Sequence, residues 1–95
     1  MSDVEQAWVG ALIEGEGCVR KHSNKGETFH WRIVVANTSA EILSALVRAT
    51  GIANIYLTAN PGKPCFQWQV YRQADVADLV RQCSPYSEKC QAVIV

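Results

Sequence analysis

The sequence predicts an α+β domain in which helices pack on one face of a four-stranded antiparallel sheet, in the order α-β-β-α-β-β-α-α. Three observations predict it. Four short runs rich in β-branched and aromatic residues come in two pairs with turn-forming residues inside each pair, the pattern of hairpins. Segments with apolar residues at helical spacing lie before, between and after those pairs. A chain of 95 residues, 48% hydrophobic and 19% charged, has the make-up of one globular core spanning residues 1–95, not of a disordered or two-domain chain.

From Val4 to Ile13 the residues are nearly all compatible with a helix, and Gly15 and Gly17 are placed to close it. Cys18 to Lys21 and Thr28 to Asn37 form the first hairpin, across turn chemistry at 22–27. Ser39 is placed as the N-cap of a second helix in which Ile42, Leu43, Leu46 and Val47 repeat at helical spacing up to Gly51. Ile52 to Thr58 and Cys65 to Tyr71 form the second hairpin, around Pro61, Gly62 and Pro64. Asp75, Val76, Leu79 and Val80 mark a third helix that Ser84 and Pro85 break. Tyr86 to Val95 reads as a short last helix with an apolar end. Trp8, Trp31 and Trp68 are assigned to the core.

Alternation along the strands separates two faces. Trp31, Ile33, Val35, Ile55, Leu57, Phe66, Trp68 and Val70 point toward the helices. Arg20, His22, His30, Arg32, Tyr56, Gln67 and Gln69 point away, together with Thr58 and Tyr71, and no acid joins them. The net charge is zero, yet it is unevenly spread: the two hairpin regions carry +5 and the helices with the tail −5. Basic and amide side chains on an exposed sheet match the groups that contact phosphates and base edges, and a two-stranded ribbon fits the DNA major groove. A half-exposed antiparallel sheet also has a polar outer face without any ligand, and His22 and His30 are equally explained as ordinary exposed strand histidines.

The cysteines Cys18, Cys65, Cys83 and Cys90 contain no CxxC pair and do not space with His22 and His30 as zinc ligands do, so reduced, mostly buried thiols are expected. No apolar run has the length of a membrane span, and the start of the chain is acidic where a leader is basic; a soluble, intracellular chain is the expectation.

The first helix carries the most informative residues. Ala7, Gly10, Ala11 and Glu14 fall on one face at i, i+3, i+4 and i+7, a small-residue stripe that lets a second backbone approach. The same helix of a second copy is one partner for it, and the chain's own sheet is the other. Glu14 and Glu16 stand at the negative end of the helix dipole, where carboxylates are mildly disfavoured. Two acids among glycines at a helix tip suit a hard divalent cation such as Mg²⁺, or Mn²⁺ or Ca²⁺, completed by water and a phosphate. Solvated acids ending a helix are the plainer explanation.

The segment Trp8 to Val19, WVGALIEGEGCV, resembles the signature of the LAGLIDADG homing endonucleases, with Val9 to Gly17 standing for its nine letters and Glu for each Asp. The element order is similar to the family's αββαββα core, and Ser84-Pro85-Tyr86 followed by Lys89-Cys90-Gln91-Ala92 is similar to its C-terminal segment. The resemblance implies a homodimer whose signature helices pack at the centre and whose sheets line the major grooves of a pseudo-palindromic double-stranded DNA site. It also implies phosphodiester hydrolysis with a divalent metal bound by Glu16. Asn37 falls on the family's amide residue near the attacking water, and Lys89 on the basic residue near the scissile phosphate. Glu16 is one methylene longer than the usual Asp, and Glu41 stands where many members carry a basic residue. A non-catalytic DNA- or RNA-binding module on the same fold, such as a maturase or regulator, is the alternative, and a dimerisation scaffold without a ligand is a third.

Overall fold

The structure, a computed structural model, describes residues 1–24, 28–58, 62 and 64–93. The elements run α1 (Asp3–Glu16), β1 (Gly17–Asn24), β2 (Thr28–Asn37), α2 (Ala40–Thr50), β3 (Ile55–Thr58), β4 (Cys65–Val70) and α3 (Gln73–Cys83), then a 3₁₀ turn at Ser84–Tyr86 and the one-turn α4 (Glu88–Gln91). The predicted turn residues 25–27, 59–61 and 63, and the last two residues of the chain, lie outside the described residues.

Each boundary has a local cause. At the start of α1, Ser2 and Glu5 form a reciprocal capping box: the Glu5 N–H donates to Ser2 Oγ at 3.1 Å and the Ser2 N–H to Glu5 Oε1 at 2.9 Å. The helix therefore begins before Val4. It also runs through Gly15, which the sequence placed outside it, and stops at Gly17. There a Cβ would lie 2.7 Å from the Ile13 carbonyl oxygen and 2.9 Å from Ile13 Cα, so only glycine fits. Gly17 is at once the cap of α1 and the first residue of β1, paired with Val35. Ser39 caps α2 as predicted, and Gly51 ends that helix at φ +75°, the left-handed conformation glycine adopts without a steric cost.

All four strands are antiparallel, in the order β1-β2-β4-β3. β1 continues to Asn24, past the predicted Lys21, because it pairs with β2 along its whole length from Gly17↔Val35 to Asn24↔Thr28. β3 starts three residues after the predicted Ile52, since the Ile52 carbonyl instead accepts from Trp68 Nε1 at 2.8 Å. Where β4 ends, the Gln73 amide replaces a strand neighbour for Trp31, accepting from its N–H at 3.0 Å and donating to its carbonyl at 2.9 Å.

The core lies between the helices and the inner sheet face. Val9 and Ile13 of α1, Leu43 and Leu46 of α2, and Val76, Leu79 and Val80 of α3 pack on Ile33, Val35, Trp68 and Val70. Full burial of each such side chain contributes roughly 1.5–3 kcal/mol. Cys83 and Cys90 are buried with them, and burial pushes the Cys83 thiol up to about 12, which leaves it unreactive. Cys18 departs from the expectation of buried thiols: it is exposed on the outer sheet face. Trp8 is not a core residue either; it is 40% exposed on α1. Among the described residues no helix is long and apolar enough to cross a membrane.

Gly17→Ala is expected to cost about 1–3 kcal/mol, because the new methyl meets backbone that cannot rotate away. A lowered urea midpoint checks this; an unchanged midpoint contradicts the close-approach account of the helix end.

Candidate nucleic-acid interface

The end of α1 delivers Glu16 to the edge of the outer sheet face. Its carboxylate is exposed, and Asn37 Nδ2 at the end of β2 donates to Glu16 Oε2 at 2.8 Å. The Asn37 carbonyl oxygen accepts from the Ser39 N–H at 2.8 Å, so the turn into α2 orients the amide with its N–H₂ toward Glu16. On the other side of the same strand start, Lys89 Nζ donates to the Gly17 carbonyl at 2.8 Å. Glu16, Asn37 and Lys89, far apart in the chain, thus converge around one backbone junction.

Glu14 has a different environment from the one expected of an interface residue. Its Oε1 accepts from Ser87 Oγ at 3.1 Å and from the Lys89 N–H at 3.0 Å, tying α1 to the start of α4 within the same chain. The backbone bond from Lys89 is the main reason its carboxyl lies below the ordinary 4.5, with the Ser87 bond and the Lys89 charge adding to it against some desolvation.

The small-residue stripe is also revised. Gly10 faces inward, where a Cβ would lie 2.7 Å from Tyr86 Cβ and 3.2 Å from the Cys83 carbonyl, so its smallness serves packing within the chain. Ala7 is half-buried, and Ala11 alone of the four predicted residues is exposed. The exposed face of α1 is Val4, Trp8, Ala11 and Gly15, about a fifth of a turn from the predicted stripe. Residue size alone does not distinguish the buried Gly10 from the exposed Ala11 and Gly15; tertiary contact does.

The strands contain no Asp or Glu. Cross-strand pairing puts Arg20 opposite Arg32, His22 opposite His30, and Tyr56 opposite Gln67 on the outer face, as alternation predicted. Arg20, His22, Arg32, Gln67 and Gln69 line a groove of about 310 Å³ that has Glu16 at one end. Cys18, Val34 and Ala36 line it too and were not singled out from sequence, being apolar or small. Tyr71, which alternation also placed on this face, pushes the Tyr56 hydroxyl up in spite of the nearby Arg32 charge.

Among the described residues no three His, Cys, Asp or Glu side chains group as a metal cage. One copy offers Glu16, whose second carboxylate oxygen has no protein partner among those residues. An oxygen-only donor beside a basic groove fits a hard divalent cation that completes its shell with water and phosphate, and does not fit zinc.

No protein-family model and no curated protein matches the sequence. Solved structures do. The homing endonuclease I-CvuI, in complex with its target in the presence of calcium, superposes with a TM-score of 0.73 at 16% identity over 95% of this chain and 62% of that one. The archaeal intron-encoded homing endonuclease I-Vdi141I complexed with DNA gives 0.68 at 18% identity, over 88% of this chain and 56% of that one. The LAGLIDADG meganuclease I-AabMI bound to uncleaved DNA gives 0.68 at 17% identity, over 85% of this chain and 29% of that one. The fold is that of the LAGLIDADG homing endonucleases, as the motif in α1 implied, and the chain spans about three fifths of the length of I-CvuI.

The depressed Glu14 carboxyl gives a signed pH dependence. Its contribution is present above the unfolded value of 4.5 and is lost as pH falls through the lower folded value. Glu5, lowered by its bonds from Ser2, acts in the same window. Thermal midpoints measured from neutral pH downward should fall in acid for the wild type and fall less for Glu14→Gln; parallel profiles would remove Glu14 from the account.

Proposed function

We propose that two copies of this chain form a DNA endonuclease that hydrolyses phosphodiesters at a pseudo-palindromic double-stranded site, using a divalent ion held by Glu16 of each copy. The observation that carries this reading is the position of Glu16: an exposed carboxylate, oriented by Asn37, at the end of a basic groove in whose lining it is the one acid. A polyanion laid in that groove presents its backbone to the one acid at its end.

The chain's own residues have distinct parts. Arg20 and Arg32 supply the positive charge of the groove and hold the duplex. Asn37 keeps the Glu16 carboxylate in one orientation and leaves its second oxygen available. Lys89, held by Glu14 through its backbone and by Gly17 through its ammonium, adds positive charge beside the attacked phosphate. When bound, a hard divalent ion such as Mg²⁺ supplies Lewis-acid polarisation of the phosphodiester and neutralises charge on the leaving oxygen.

Self-association is supported by Gly15. It lies in the last turn of α1, and an added Cβ there would meet nothing within 4 Å among the described residues, so packing within one copy does not call for glycine at this position. Close approach of a second backbone along Val4, Trp8, Ala11 and Gly15 does call for it, and brings two Glu16 residues together at the helix ends.

Supercoiled plasmids carrying a randomised inverted-repeat insert test the reading. In Mg²⁺ the wild type should nick or linearise a subset. Glu16→Gln should cut that subset roughly 100-fold more slowly or worse, while retaining the same duplexes in a binding assay. Equal cutting by Glu16→Gln would remove the proposed metal ligand. A wild type that retains duplex but leaves every plasmid intact would favour a non-catalytic binding module.

A further inference from the structure

The outer sheet face is graded along its strands, and the gradient has a consequence for which bases it contacts; this rests on the DNA-cleaving reading above. Nearest Glu16, Cys18 stands opposite Val34, and Ala36 stands opposite Gln67. One pleat further out, Arg20 stands opposite Arg32. Two guanidinium groups in direct cross-strand register repel each other. Among the described residues neither is paired with a carboxylate: the strands hold none, and the one ion pair there joins Arg81 to Asp78. The arrangement therefore does not stabilise the chain itself, and it calls for an external acceptor.

Strand order separates the two arginines. β2 and β4 are the inner strands and β1 is an edge, so Arg32 lies over the middle of the sheet and Arg20 toward its rim. A side chain over the middle of a sheet lying in the major groove meets base edges, whereas one at the rim meets the phosphate wall. On β4, Gln69 Nε2 donates to Gln67 Oε1 at 3.0 Å. That bond leaves an amide N–H of Gln67 and the carbonyl oxygen of Gln69 as a neighbouring donor and acceptor, complementary to N7 and the N6 amino group of adenine. Cys18, Val34 and Ala36 beside them are apolar partners for a thymine methyl.

We propose that each half-site carries A·T pairs on the side toward Glu16, faced by the Gln67 and Gln69 amides and the apolar trio, and a guanine about two base pairs further out, bonded bidentately by Arg32. The spacing follows from two strand residues spanning about 6.8 Å against 3.4 Å per base step. Arg20 contacts phosphate and carries no base preference.

The test is a binding selection in EDTA, with duplexes whose halves repeat one random sequence in inverted orientation. The wild type should enrich A·T pairs followed, about two pairs outward, by guanine at roughly tenfold or more over other bases. Arg32→Lys keeps the charge but loses the planar fork, so the guanine preference should fall several-fold while the salt slope stays. Arg20→Gln should weaken binding evenly across sequences and lower the salt slope by about one. Both arginines are exposed, and matching circular dichroism checks that the variants fold. Unchanged guanine preference in Arg32→Lys, or no guanine outward of the A·T pairs in the wild type, overturns this inference while leaving DNA binding intact. A wild type that retains no duplex even at low salt overturns both this inference and the reading on which it rests.

Discussion

The arrangement depends on a single residue without a side chain. At Gly17 the chain leaves a helix and enters a strand with no loop between them, and a Cβ there would sit against the backbone of Ile13. This direct handover fixes the angle between α1 and the sheet. Glu16, the last helical residue, consequently projects at the edge of the outer face, within reach of Asn37 from the neighbouring strand. The Gly17 carbonyl, turned to the opposite side, becomes the acceptor for Lys89. A loop of ordinary length would uncouple all three.

The helix that ends there has its circumference divided among separate tasks. Val9 and Ile13 bury against the core, and Gly10 admits the turn at Tyr86. Glu14 holds α4 by two hydrogen bonds, and so positions the backbone of Lys89 from a distance. The remaining side, Val4 to Gly15, is exposed and apolar or small. Each task needs a particular residue at a particular rotation, which explains why the helix keeps two glutamates at its unfavourable end. One serves the chain's own packing, and the other is left exposed beside Asn37.

Much of this was legible in the sequence because local chemistry agreed with the fold. Ser39 and Gly51 bound α2 as a cap and a left-handed stop, and strand alternation grouped the outer-face residues correctly, although Ile55 and Leu57, expected against the helices, are exposed because no helix among the described residues covers β3. The motif of α1 was recognisable residue by residue even though identity to the superposed structures is 15 to 20%, since Glu for Asp and exchanges among small residues keep the chemistry and lose the letters. What was not legible depends on tertiary contact. Gly15 looks like a helix stop until the helix is seen to end at Gly17. Glu14 and Gly10 look like interface residues until Ser87, Lys89 and Tyr86, over seventy positions away, are folded against them. Strand order, with β4 beside β2, is set by neither hairpin alone.

The central claim is that the open side of α1 is where two copies meet and bring their Glu16 residues together. Sedimentation equilibrium over a range of concentrations, on the wild type and on Gly15→Leu, tests it most directly. The account predicts a wild-type mass of twice the chain and a monomeric Gly15→Leu with unaltered secondary structure. A wild type that stays monomeric throughout, or a Gly15→Leu protein that dimerises equally well, would contradict it.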